Sequence, residues 1–220
     1  MRNLADLWLA VIGVYSCAFV VSFSIFPVGM SDVLRIAVYG PESTGKTQLA
    51  EKLSAHFGAP LVAEYARELR DQQGALTLED MLPVSREQAR REDAAAVAEG
   101  KCHLLDDTSP ERLIICDTDA LTTMLWSDLL YGTTPDELRR SVEKRCRNYA
   151  LYLLLDIDVP FAPDPQRCFP DPDDREKCLR VWRGALERRH LPFVEIRGNW
   201  AERAQRAIDA VENLLAGKQS

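Results

Sequence analysis

Eight consecutive residues, Gly40-Pro41-Glu42-Ser43-Thr44-Gly45-Lys46-Thr47, satisfy the spacing G-x-x-x-x-G-K-[ST] in full. That spacing suits the gripping of a nucleotide's terminal phosphates. Gly40 and Gly45 allow backbone angles and close approaches that a Cβ would block. The amides of Glu42, Ser43, Thr44, Gly45 and Lys46 can turn inward toward an anion, aided by the partial positive charge of a following helix N-terminus. Lys46 is placed to reach the β and γ phosphates, and the Thr47 hydroxyl is placed to ligate Mg²⁺. The expected cofactors are therefore ATP and Mg²⁺, with Lys46 as a catalytic cation.

Carboxylates form the second group. Asp117 and Asp119 stand in Cys116-Asp117-Thr118-Asp119, directly after an apolar run. Asp117 is the candidate to position Mg²⁺ opposite Thr47, and Asp119 would lie toward the acceptor. The competing reading is a helix cap with an acidic first turn. Glu64-Tyr65-Ala66-Arg67-Glu68 follows another short apolar run. Glu64, Tyr65 and Arg67 could orient a hydroxylated acceptor and stack on its ring, or could simply be the charged first turn of a surface helix. Asp156 and Asp158 read as loop acids. Arg167 lies in a Pro- and Asp-rich stretch before a basic helix carrying Arg175, Lys177, Arg180 and Arg183. A cation on such a lid would stabilise charge developing in phosphoryl transfer, with Arg175 the second choice.

These residues need a sheet to position them. Apolar runs at 34–39, 61–63, 113–116, 151–155 and 193–196 alternate with amphipathic stretches. The pattern predicts a three-layer α/β/α P-loop NTPase fold with a five-stranded, mainly parallel sheet. Lys46 to Phe57 reads as a helix, with Leu49, Leu53 and Phe57 on one face. Thr77 with Asp80 starts a helical segment reaching to about Gly100 and interrupted at Pro83. Thr134-Pro135-Asp136-Glu137 reads as a helix start capped by Thr134. Asn199 and Glu202 cap a last helix whose Trp200, Ala204, Ile208, Val211 and Leu215 share an apolar face.

The 220 residues carry a net charge of -7, which argues against nucleic acid as a partner. Six cysteines, at 17, 102, 116, 146, 168 and 178, contain no C-x-x-C pair and read as free thiols. The domain division is an apolar leader over 1–30 and a kinase domain over 31–220. No charged side chain occurs from Leu7 to Ser31, enough length to cross a bilayer. The leader reads first as an over-extended start, because Met30 stands just ahead of the first strand. A membrane anchor over 7–29 comes next and a signal peptide last. The kinase domain is expected in the cytoplasm, with the membrane a partner only if the anchor is real. The oligomeric state is left open.

With these motifs in hand, the chain resembles the ribosylnicotinamide kinase domain of NadR-type proteins. The resemblance runs from about Leu34 to Leu215. It rests on GPESTGKT at 40–47, EYARE at 64–68, TLEDM at 77–81, DTDALTT at 117–123, LYLLLDIDVPFAPDPQR at 151–167 and VEIRG at 194–198. It implies ATP- and Mg²⁺-dependent phosphorylation of the 5′ hydroxyl of nicotinamide riboside, giving nicotinamide mononucleotide for NAD synthesis. By the same resemblance Glu64, Tyr65 and Arg67 lie near the riboside, Asp117 and Asp119 near Mg²⁺ and acceptor, and Arg167 in the lid. The stretch from Thr122 to Trp126 is similar to the segment lining the acceptor side. The larger NadR proteins carry a nucleotidyltransferase domain with an H-x-G-H motif, whereas His56, His103 and His190 are isolated here. Adenylylation and DNA-binding regulation are therefore not implied. The alternatives are a kinase of another nucleoside or nucleotide, and a membrane-tethered ATPase switch.

Overall fold

Apolar runs of three to six residues bounded by polar turns are buried inside a sheet covered on each side by helices. In the computed structural model, which describes residues 33–102, 112–162 and 167–218, five strands do this. They are β1 (Leu34–Tyr39), β2 (Leu61–Val62), β3 (Leu113–Asp117), β4 (Leu151–Leu155) and β5 (Phe193–Ile196). All neighbours are parallel, in the order β2-β3-β1-β4-β5. The leader over 1–30, with the candidate anchor, lies outside the described residues. Among those described, no helix is long and apolar enough to cross a membrane.

The period-two alternation of each strand divides the core. Ile36 and Val38 of β1, Leu113 and Ile115 of β3, and Leu151, Leu153 and Leu155 of β4 pack under α1 (Lys46–Phe57) and α7 (Trp200–Ala216). Ala37, Tyr39, Ile114, Cys116, Tyr152 and Leu154 face the other way. They meet α3 (Leu78–Cys102), α4 (Ala120–Tyr131), α5 (Asp136–Arg145) and α6 (Pro172–Arg188). Helix α2 (Tyr65–Gln73) buries no residue fully.

Topology places the site. The chain leaves β1 toward β2 and β3 on one side, while β4 and β5 occupy the other. The crevice at the carboxyl ends beside β1 is thus a switch point, where open α/β sheets bind ligands. Tyr39, Asp117 and Leu155 end the three strands that border it.

Three local expectations change. Helix α3 runs unbroken through Pro83, because Pro83 sits on its exposed face and removes a single N–H on a side that water reaches. Its start is fastened as expected, the Thr77 N–H and hydroxyl each donating to Asp80 Oδ2 at 2.8 Å. Thr134 does not cap α5, whose N-cap is Pro135. The Thr134 hydroxyl instead donates to Asp128 Oδ1 at 2.8 Å and the Met124 carbonyl at 3.2 Å, tying down the end of α4. Asn199 and Glu202 form the expected capping box, but Trp200 leaves the core face and stands 48% exposed.

Candidate active site

The loop after β1 folds around its two glycines. Gly40 has φ +148°, and a Cβ there would meet the Leu155 carbonyl oxygen at 2.9 Å. Gly45 has φ +81°, and its bare α carbon lies against the Trp200 ring where no Cβ fits. Ser43 also takes a positive φ of 57°. Thr44 is fully buried and its hydroxyl donates to the Pro41 carbonyl at 2.9 Å. Lys46 Nζ donates to the same carbonyl at 2.7 Å. Desolvation lowers the pKa of this ammonium, against the opposing fields of Glu64, Asp117 and Glu42.

The Thr47 hydroxyl donates to Asp117 Oδ2 at 2.7 Å, joining the first turn of α1 to the end of β3. The other oxygen, Oδ1, is buried with no partner among the described residues. Burial, reinforced by the Glu64 charge, pushes the Asp117 carboxyl up to about 6, while Thr47 and Lys46 hold it from rising further. One hydroxyl, one carboxylate with a free oxygen and the adjacent cradle fit a Mg²⁺ ion carried in on phosphates. Such an ion keeps few protein ligands. No group of three or more His, Cys, Asp or Glu side chains among the described residues makes a metal site of its own.

Asp119 belongs to the scaffold instead. It is fully buried as the N-cap of α4. Its Oδ1 accepts the Thr122 N–H and hydroxyl, both at 2.9 Å, and its Oδ2 accepts the Tyr152 hydroxyl at 3.1 Å. It does not line the cleft, although Thr118, Thr122 and Thr123 around it do. The cap reading therefore describes its geometry, with Asp119 as the N-cap of α4.

Beyond the cradle the cleft, of about 320 Å³, opens toward α2, α3 and α4. Glu64 and Arg67 line it, 3.9 Å apart. Tyr65 does not: its ring lies beneath the Arg91 guanidinium, 4.5 Å from ring centroid to Cζ, and its N–H donates to Gln88 Oε1 at 3.0 Å. The aromatic surfaces in the cleft come from Trp126 of α4 and, against Gly45 at the cradle, from Trp200 of α7. Trp126 is held by Trp182 at 5.0 Å and stacked with Phe169 at 6.0 Å, 11° from parallel.

The lid closes over the cradle along two side chains of the loop itself. Glu42 Oε1 accepts the N–H groups of Cys168 and Phe169, at 2.8 and 2.6 Å. Ser43 Oγ accepts the Ala162 N–H at 2.8 Å and Arg167 Nη1 at 3.0 Å. Arg167 thereby lies at the cradle and lines the cleft. Arg175 does not line it. Its guanidinium donates to the Val159 carbonyl at 3.0 Å, at the root of the lid.

Arg203 was not anticipated as part of this architecture. This side chain of α7 is 2% exposed. It donates to the carbonyls of Thr44 at 3.0 Å, Gly198 at 2.9 Å and Asp156 at 2.7 Å, and pairs with Asp158. The signal was available, since Arg203 shares a helix face with the buried Ala207 and Val211, where a guanidinium needs partners. Asp156 also pairs with Arg197 at 2.7 Å, so both acids after β4 serve the loops, as their sequence reading had it.

A family model described as an AAA domain matches residues 35–203. No curated protein matches the sequence. Among solved structures, a NadR protein in complex with NR is similar at 23% identity and a TM-score of 0.62, covering 84% of this chain and 52% of that one. A NadR protein in complex with NAD and AMP-PNP follows at 20% and 0.53, covering 84% and 50%. The thymidylate kinase of Ehrlichia chaffeensis is similar at 14% and 0.54, covering 81% and 98%. At these identities the likeness is one of fold. The chain spans about half the length of the NadR structures.

Proposed function

We propose that this chain, which belongs to the AAA-domain family matched over residues 35–203, is an ATP- and Mg²⁺-dependent kinase that phosphorylates the 5′ hydroxyl of nicotinamide riboside. The observation that carries this reading is a single cleft with two chemically different ends. One end is the phosphate cradle with Lys46 and the Thr47–Asp117 pair. The other is walled by Trp126, Met81 and Val84, a surface for a flat ring, with Glu64 and Arg67 among the polar groups that also line the cleft.

The residues divide the work. The amides of Glu42 to Lys46 and the Lys46 ammonium would hold the nucleotide's phosphates. Thr47 and Asp117 would hold Mg²⁺, which when bound neutralises charge on the β and γ phosphates. With Asp117 assigned to the metal and Glu42 bonded to the N–H groups of Cys168 and Phe169, Glu64, which lines the cleft, would accept the proton of the acceptor hydroxyl. That oxygen bonds to the γ phosphorus as the bond to the β–γ bridging oxygen breaks, and ADP leaves with the bridging oxygen. Arg167 faces the charge that develops during transfer, and the lid excludes water.

A coupled ADP-release screen over a panel of ribosides, with and without Mg²⁺, tests the reading. Nicotinamide riboside should give the highest kcat/KM, with no turnover in the absence of metal. Faster turnover of another nucleoside would reassign the substrate while leaving the kinase chemistry in place. ATP hydrolysis indifferent to every riboside would favour the ATPase alternative.

A further inference from the structure

Gln88 sits on the face of α3 that also carries Val84 and the buried Glu92. It is 1% exposed and lines the acceptor end of the cleft. Its Oε1 accepts the Tyr65 N–H at 3.0 Å. This bond fixes the amide, because a flipped group would set its NH₂ against the Tyr65 N–H, donor to donor. Nε2 is thereby the atom left over, and it is buried with no protein partner among the described residues. A second polar atom at the same cleft shares this condition: Thr118 Oγ1, on a residue with φ +79°.

A buried N–H donor without an acceptor is costly, and its cost is recovered by whatever supplies the acceptor. A site built this way rejects analogues lacking the matching group far more strongly than an apolar pocket rejects a size difference. Met81, Val84 and Trp126 supply the apolar and aromatic walls of the same end, so the partner atom belongs on a flat ring. We propose that Gln88 selects the acceptor by donating a hydrogen bond from Nε2 to a carbonyl oxygen carried by the acceptor's planar base. The substrate class is then a riboside with a carboxamide or ring-keto group, and bases lacking an oxygen there are excluded. The inference rests on the kinase reading above but does not depend on which riboside is preferred.

The experiment compares matched pairs that differ in the carbonyl, nicotinamide riboside with pyridine riboside and inosine with purine riboside, in wild type, Gln88→Glu and Gln88→Met. Gln88→Glu keeps an oxygen for Tyr65 and turns the inward donor into an acceptor. Gln88→Met keeps the volume without charge and covers the case in which the buried carboxylate prevents folding. Wild type should prefer the carbonyl-bearing member of its better pair by on the order of a hundredfold in kcat/KM. In the variants that preference should collapse, mainly through KM, while KM for ATP and turnover of the carbonyl-free member hold within about twofold. Equal losses on both members would overturn the proposal and make Gln88 structural. A wild type indifferent to the carbonyl in both pairs would overturn it as well. Preference confined to the inosine pair would support Gln88 and sink only nicotinamide riboside as the substrate.

Discussion

At the scale of single residues, charge placement decides what the cleft can do. Lys46 is the cation held at the cradle by a bond to a loop carbonyl, free to exchange that oxygen for a phosphate. Lys46→Ala should lower kcat by about 10²- to 10³-fold while the circular dichroism spectrum stays unchanged. Near-normal turnover would remove the cradle from the chemistry. Arg167→Ala should depress kcat more than it raises the acceptor KM, since a lid cation acts mainly in the transition state. An effect confined to KM would make it a binding residue. Asp117 offers a test by pH. Its carboxyl is raised to about 6, so at limiting Mg²⁺ kcat/KM should fall about tenfold per unit below that pH. The stability linkage runs the opposite way: a folded pKa above the unfolded one favours the nucleotide-free fold at low pH, and that gain is lost as pH rises through about 6. At pH 8 and without nucleotide, Asp117→Asn should therefore be more stable than wild type, by about 3 kcal/mol, with a higher melting temperature, while being inactive. A lower melting temperature would mean the ionised carboxylate is well satisfied where it sits.

At the scale of elements, the cradle is held from behind. Arg203 reaches from α7 to the carbonyl of Thr44 and to those of Gly198 and Asp156, with Asp158 as counter-ion. One guanidinium thus ties α7 to the loops after β1, β4 and β5. Arg203→Met leaves three carbonyls and an acid short of a donor, and should cost about 2–4 kcal/mol. It should raise KM for ATP without moving the acceptor KM. Arg203→Lys should not restore affinity, because an ammonium lacks the fork that spans these directions. Full rescue by lysine would mean charge alone suffices. In front, Glu42 and Ser43 bond Ala162, Arg167, Cys168 and Phe169 to the cradle.

At the scale of the whole molecule, helices among the described residues close both faces of the sheet. If the start expected at Met30 is the working one, a chain beginning there should fold and turn over ATP at the full-length rate. Its melting temperature should rise when AMP-PNP and Mg²⁺ are added, by about 2.7 kcal/mol of stabilisation at a hundredfold excess over Kd. An aggregated or inactive product would place part of the working domain in the leader. This chain covers about half of each NadR structure but nearly all of a thymidylate kinase, so the likeness in fold leaves the choice of acceptor to the riboside screen.

The cradle, the strand positions and the capping box were legible in the residues because each is a local device, complete within one turn, one run of alternation or one helix start. Which side chains meet across the molecule was not, since that depends on the strand order β2-β3-β1-β4-β5. That order brings α7 beside the loop after β1, so Trp200, expected in the core, covers Gly45, and Arg203 braces Thr44. It likewise turns Tyr65 out toward Arg91, so the aromatic surface beside Met81 and Val84 is that of Trp126. Periodicity says that a residue faces inward. Only the packing of one element against another, with donors matched to acceptors in a space that water does not fill, says what it faces.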